Sequence, residues 1–137
     1  LLVTFIPMLT DTGGNAGSQS STMIIRGMAV GEIEAGDILR VLWKELRVGV
    51  IVGVLLGLVN YIQLVIRFPG QEMLCLTVVL SLLATVMLAK TIGCVLPIAA
   101  QVLHLDPAIM AAPLITTIVD AVSLIIYFQL ACSLLKI

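Results

Sequence analysis

Charged side chains are scarce in this sequence. They make up 11% of its 137 residues, against roughly 25% in an ordinary soluble domain. That scarcity excludes a soluble monomer, because the chain has too little polar surface to cover one. Neither sign of charge dominates. Seven Lys and Arg stand against eight Asp and Glu, a formal net charge of -1. No positive field exists to displace counterions, so nucleic acid is excluded as a partner. Cysteine is sparse too. Cys75, Cys94 and Cys132 lie far apart in apolar stretches, without the spacing of a zinc or haem site, and read as small membrane-buried hydrophobes. The single histidine, His104, has no acidic or cysteine neighbour at metal spacing and reads as a plain interfacial residue. No Ser-His-Asp or Cys-His arrangement suggests an enzyme. Residues 1–6 are apolar from the outset, with no Met start, basic region or cleavage site before them. They are not a signal peptide. A helix is entered part-way, and the chain is expected to be a fragment whose upstream helix partner is missing.

What the chain has in quantity is apolar side chains, 61% of the total, with a mean hydropathy of +1.22. A disordered chain is thereby excluded. A helical span needs about 20 mainly apolar residues. The expectation is an all-α membrane protein, a polytopic bundle with spans at about 1–29, 48–66, 73–103 and 107–135. Gly49, Gly53 and Gly57 fall on one face of the second span. In lipid such small residues matter because they let helix backbones approach, so this strip predicts a packing face. Pro69-Gly70 marks a turn. Gly93 and Pro97 predict a kink in the third span. Lys90, inside that span, either snorkels to an interface or faces a protein interior. Asp106 before Pro107 reads as a helix cap with proline at the first helical position.

Residues 36–47 carry Ile38, Leu39, Leu42 and Leu46 at helical spacing, with Arg40, Lys44 and Arg47 on the other side and Trp43 suited to headgroup level. This pattern predicts an amphipathic helix lying in the membrane interface. With Arg26, its cations place this connection in the cytoplasm under the positive-inside rule. The Arg67 loop and the C-terminus then lie outside.

Two segments carry the chemistry. Residues 10–22 are small and polar, which reads as a loop. Yet they contain no Lys, Arg or Glu, and Gly14, Ser18 and Thr22 share one helix face, with Gly13, Gly17 and Ser21 beside it. A helix lined in this way suits a water-filled interior, so loop and pore-lining helix both stand. Asp120 lies near the middle of the last apolar run. A carboxylate at that depth costs about 2.5–3.5 kcal/mol on insertion scales. Either an ion pair with Lys90 or a bound cation would offset that cost. Ala112, Thr116 and Asp120 share one face, and hard oxygen donors suit Mg²⁺ or Ca²⁺.

At these segments the sequence resembles the MgtE family of magnesium transporters. Phe5-Ile6-Pro7, then the run Gly13-Gly14-Asn15-Ala16-Gly17-Ser18-Gln19-Ser20, then Ile25-Arg26-Gly27 carry the first part of the resemblance. Asp106-Pro107-Ala108, Pro113-Leu114-Ile115-Thr116-Thr117, Asp120 and Tyr127-Phe128 carry the second. The resemblance covers essentially the whole of residues 1–137. It implies a homodimeric, magnesium-selective channel in the plasma membrane, with five spans per subunit, a pore on the dimer axis, and cytosolic sensing domains, including a CBS pair, ahead of the membrane part. This chain would hold the second to fifth spans. The glycine-rich segment becomes a pore-lining helix offering Asp11, Gly13, Gly14, Asn15, Ser18 and Gln19, with Thr117 from the last span. The family's intramembrane acid falls on Asp120, with Thr116 and Ala112 beside it as the metal site. The family often has a polar residue near Ala111 or Ala112, so a ligand at Ala112 would be its carbonyl or a water. Lys90 stands where the family leads one to expect an uncharged residue.

Mg²⁺ keeps several of its waters when held by one or two carboxylates. Two copies of Asp120 on a dimer axis would meet a mostly hydrated ion, and Mn²⁺ or Ca²⁺ would enter the same site. Two rivals remain open: a proton- or sodium-coupled secondary transporter using Asp120, and a structural membrane module in which Asp120 pairs with Lys90.

Overall fold

In the computed structural model, which describes residues 1–110 and 112–136, the chain is helical and has no strand among those residues. Four long helices follow one another: α1 (Ile6–Ala29), α2 (Ile38–Arg67), α3 (Glu72–Val102) and α4 (Ala112–Leu135). Short 3-10 turns precede α1 (Leu2–Phe5), α2 (Ala35–Asp37) and α4 (Pro107–Met110).

The connections follow from local chemistry. Gly31, with φ of 78°, ends α1. The Glu32 amide donates to the Gly27 carbonyl at 2.9 Å and the Gly31 amide to Met28 at 3.2 Å. These are the two bonds of a Schellman cap. Gly27 has no side chain, so Ile33 closes over it. Phe68-Pro69-Gly70-Gln71 forms the turn between α2 and α3. The Gln71 amide reaches the Phe68 carbonyl at 3.2 Å, and Gly70 has φ of 83°. Proline then glycine at the central positions is the type II pattern. The end of α3 repeats the Schellman cap with His104 at φ 58° where glycine is usual. Leu105 bonds Ala100 at 2.8 Å and His104 bonds Gln101 at 3.1 Å. The helix runs unbroken past Gly93 and Pro97.

α3 is the central helix. It packs on each of the other three, and α1 also packs on α4. The glycines set the closest approaches. A Cβ on Gly49, Gly53 or Gly57 would meet Met87, Leu83 or Val79 respectively. Rising numbers on α2 meet falling numbers on α3, so the pair is antiparallel. On α1, a Cβ at Gly13 would meet Thr85 and one at Gly17 would meet Ala89, so α1 and α3 run parallel. A Cβ on Gly93 would land on the Gly17 carbonyl, so these two backbones touch. Three apolar layers lie along the bundle. Phe5, Leu9, Leu82 and Tyr127 belong to the first, Val86, Ala89, Ile115 and Val119 to the middle, and Ile24, Val41, Cys94 and Ile98 to the last. The Tyr127 hydroxyl ties α4 to the N-terminal turn by donating to the Leu2 carbonyl at 2.9 Å.

Two expectations are not confirmed here. The interfacial helix over residues 36–47 is not a separate element, because α2 runs from Ile38 to Arg67 without a break. Nothing between Leu46 and Gly49 stops a helix, and a glycine inside one costs only about 1 kcal/mol. The buried residues of its first turns are Val41 and Glu45, in register with Gly49, Gly53 and Gly57. Of the four expected spans, three are long and apolar enough to cross a membrane among the described residues: the segment Ala35–Arg67, α3 and α4. α1 is equally helical, but its glycines, serines and threonines leave it less apolar.

Candidate ion site between α1 and α4

The polar segment over residues 10–22 is helix throughout, which settles its local structure. Its small residues sort into two faces. Gly13, Ala16, Gly17, Ser20 and Ser21 are buried in the bundle, whereas Asp11, Asn15 and Gln19, four apart, are exposed. A glycine-rich stretch forms a helix here because its missing side chains are what let α3 and α4 close on it. A Cβ on Gly17 would lie 2.9 Å from the Ile115 methyl and 3.2 Å from the Ala89 carbonyl.

A cleft of about 320 Å³ opens between the exposed side of α1 and α4. Asp11, Gly14, Asn15, Thr116 and Asp120 line it together with Pro7 and Thr10. Gly14 sets its width, since a Cβ there would lie 3.1 Å from the Thr116 methyl. Thr116 and Thr117 donate their hydroxyl protons to the Pro113 carbonyl at 3.0 and 2.8 Å. Their oxygens therefore keep lone pairs that can accept from water. Asp120 Oδ1 is buried and has no hydrogen-bond partner among the described residues. A buried carboxylate oxygen with nothing to accept from is costly, and a cation or its water shell is the species that would relieve it. Among the described residues no three His, Cys, Asp or Glu side chains gather into a metal-binding group. One chain thus offers two carboxylates, an amide and two threonine hydroxyls, too few to strip an ion of its waters but suited to a hydrated one.

The expected residues divide. Asp11, Gly14, Asn15, Thr116 and Asp120 come together at the cleft. Gly13 is buried beneath Thr85 and Val119 and is a packing position. Gln19 continues the exposed strip, Ser18 is half-buried beside it, and Thr117 and Ala112 are exposed on α4. Ala111 lies outside the described residues.

The pairing of Lys90 with Asp120 is not what the structure has. Lys90 Nζ lies 3.3 Å from Glu45 Oε2 and donates to Ser20 Oγ at 3.2 Å. Ser20 in turn donates to Glu45 Oε2 at 2.6 Å. All three are buried. Only its register marks Glu45 in the sequence: stepping back four residues from Gly49 along the glycine strip lands on it.

The sequence profile of MgtE, a divalent cation transporter family, matches residues 6–130. The chain is 36% identical over 135 residues to the magnesium transporter MgtE of Thermus thermophilus, covering 98% of this chain and 30% of that protein. It is 35% identical over 130 residues to the magnesium transporter MgtE of Bacillus subtilis, covering 95% and 29%. To that of Enterococcus faecalis it is 29% identical over 137 residues, covering 99% and 30%. The chain therefore spans about 30% of the length of these relatives.

Proposed function

The chain belongs to the MgtE family of divalent cation transporters, and we propose that it forms part of a membrane path for Mg²⁺ in which Asp120 is the main ion ligand. The observation that carries this reading is the unpartnered buried oxygen of Asp120 in a cleft that also holds Asp11, Asn15 and Thr116. The relatives named as magnesium transporters supply the ion.

In this reading α1 crosses the membrane as a fourth span, with its Asp11–Asn15–Gln19 strip facing water. Two subunits face each other across the cleft, so that two copies of Asp120 approach one axis. Two carboxylates in a low-dielectric setting repel until a divalent ion sits between them. The ion keeps most of its water, because Mg²⁺ dehydrates reluctantly. Asn15 and the threonine oxygens contact that water instead of the metal. Weak, water-mediated holding lets the ion leave as well as enter. The α1–α2 connection faces the cytoplasm, where CBS-type regulatory domains of the whole protein sit.

The test is Mg²⁺ uptake into proteoliposomes, with folding and dimer content checked first. Asp120→Asn and Asp120→Ala should abolish or sharply reduce uptake, while Asp120→Glu retains part of it. Uptake should follow the Mg²⁺ gradient alone. Near-normal uptake by folded Asp120→Asn removes this residue from the path. Dependence on an imposed proton or sodium gradient would favour a coupled transporter instead.

A further inference from the structure

At the end of the bundle where α1 passes into α2 lies a second, larger cavity of about 630 Å³. Four cations line it: Arg26 from the last turn of α1, and Arg40, Lys44 and Arg47 from the start of α2. All four are exposed, and none makes an ion pair among the described residues. Two acids also line the cavity, Glu32 and Glu45. Glu45 is already committed to Lys90 and Ser20, so one carboxylate faces four positive charges.

Arg40, Lys44 and Arg47 are four and three residues apart on one helix, a spacing at which like charges repel. The fold then brings Arg26 to the same cavity. Such convergence is relieved by an anion. Position along α2 says which kind. Residues 48–66 rise about 28 Å at ~1.5 Å per residue, close to the ~30 Å of bilayer hydrocarbon. The cavity thus begins where the hydrocarbon ends, at headgroup depth. Its wall is not only charged. Trp43, Met23 and Val30 line it as well, and they are 64%, 50% and 61% exposed. Apolar side chains held open beside a basic cluster suit an amphiphile, with its phosphate on the cations and its chains along the apolar edge. A soluble anion would use only half of this surface.

We infer that the cavity formed by Arg26, Arg40, Lys44 and Arg47 around Trp43 is a binding site for the headgroup of an anionic phospholipid. The site is separate from the cleft at Asp120, and the inference does not depend on what that cleft transports.

The test uses the intact protein released from detergent micelles into a mass spectrometer after equilibration with phosphatidylglycerol or phosphatidylcholine of identical acyl chains. Wild type should retain phosphatidylglycerol roughly tenfold better, as expected for several cations near one lipid charge. Arg40→Gln/Lys44→Gln, which alters two exposed side chains, should bring retention down to the phosphatidylcholine level. A control with the same loss of charge at the other end, Arg67→Gln/Lys136→Gln, should keep the preference. Equal retention of both lipids by wild type overturns the inference without recourse to any variant. So does an equal loss in the control, which would mean charge attraction without a site. Displacement of phosphatidylglycerol by millimolar inorganic phosphate would assign the cavity to a soluble anion and overturn the lipid reading. Failure to bind phosphatidylglycerol unless the rest of the protein is removed would assign it to a covering protein segment and also overturn it.

Discussion

The ammonium of Lys90 on α3 and the carboxylate of Glu45 on α2 form a buried ion pair of 3.3 Å, closed by Ser20 of α1. One hydroxyl thus joins three helices at a single level. Lys90 and Glu45 are only 1% and 4% exposed, so neither charge has water to fall back on. Breaking such a pair from one side leaves an uncompensated buried charge, whereas replacing both sides with apolar groups does not.

Lys90→Met alone should therefore destabilise the protein by about 3–5 kcal/mol. Lys90→Met combined with Glu45→Leu should recover most of that loss. The comparison is made by thermal melting in detergent. A double variant no more stable than the single one would show that the pair is not the source of the effect.

The glycines should differ according to what a side chain would strike. A Cβ on Gly93 meets the Gly17 backbone, whereas one on Gly57 meets the Val79 methyl at 3.2 Å. Side chains yield and backbones do not. Gly93→Ala should cost about 1–3 kcal/mol, the range for overpacking, and Gly57→Ala distinctly less. Equal melting temperatures for the two would contradict the close approach of α1 to α3.

Asp11 shares the cleft with Asp120 but is exposed and lies outside the packed face. Asp11→Asn should fold normally and raise the KM for Mg²⁺ uptake several-fold with little change in maximal rate. Asp120→Asn should instead depress the rate itself. An Asp11→Asn protein with unchanged KM would confine ion recognition to α4.

His104 occupies the left-handed position of a helix cap. A β-branched residue tolerates that backbone worst, and glycine or asparagine tolerates it best. His104→Val should lower the melting temperature, with a cost of about 1–2 kcal/mol, while His104→Gly should not. A histidine important for metal binding would instead make both substitutions harmful to transport.

α2 is 30 residues long, about 45 Å at the helical rise, so its ends should lie on opposite sides of a bilayer. Cysteines introduced at Gly36 and Gln71, both exposed, in a background without the native three should react with an impermeant reagent from opposite sides. Labelling of both from one side would defeat the crossing.

The sequence displayed some of this directly and hid the rest. The Pro69-Gly70 turn and the Asp106-Pro107 boundary could be read because each depends on neighbours within a few residues, and the glycine strip of α2 because its four-residue spacing fixes one helix face. Asp120 could be singled out because a lone acid in an apolar run is expensive wherever it packs. The helical state of residues 10–22 could not be decided from propensity, since glycine and serine favour loops until α3 and α4 cover them. The partner of Lys90 was hidden for a related reason. Glu45 sits among Lys44, Leu46 and Arg47 and looks like one more interfacial charge. Only the register of α2 against α3 turns it inward.

The order of the helices along the chain has a consequence for biosynthesis. α2 and α3 are joined by a four-residue turn whose hydrogen bond closes locally, and both are strongly apolar. They can enter a membrane together as a hairpin as soon as they are made. α1 emerges from the ribosome before them but is the least apolar of the four, and the neighbours that cover Gly13 and Gly17 belong to α3 and α4. Synthesis and burial thus run in different orders. The first of the four helices to be translated packs on α3 but is fully covered only when the last one arrives, so truncation after α3 should leave α1 the segment most exposed to quality-control proteases.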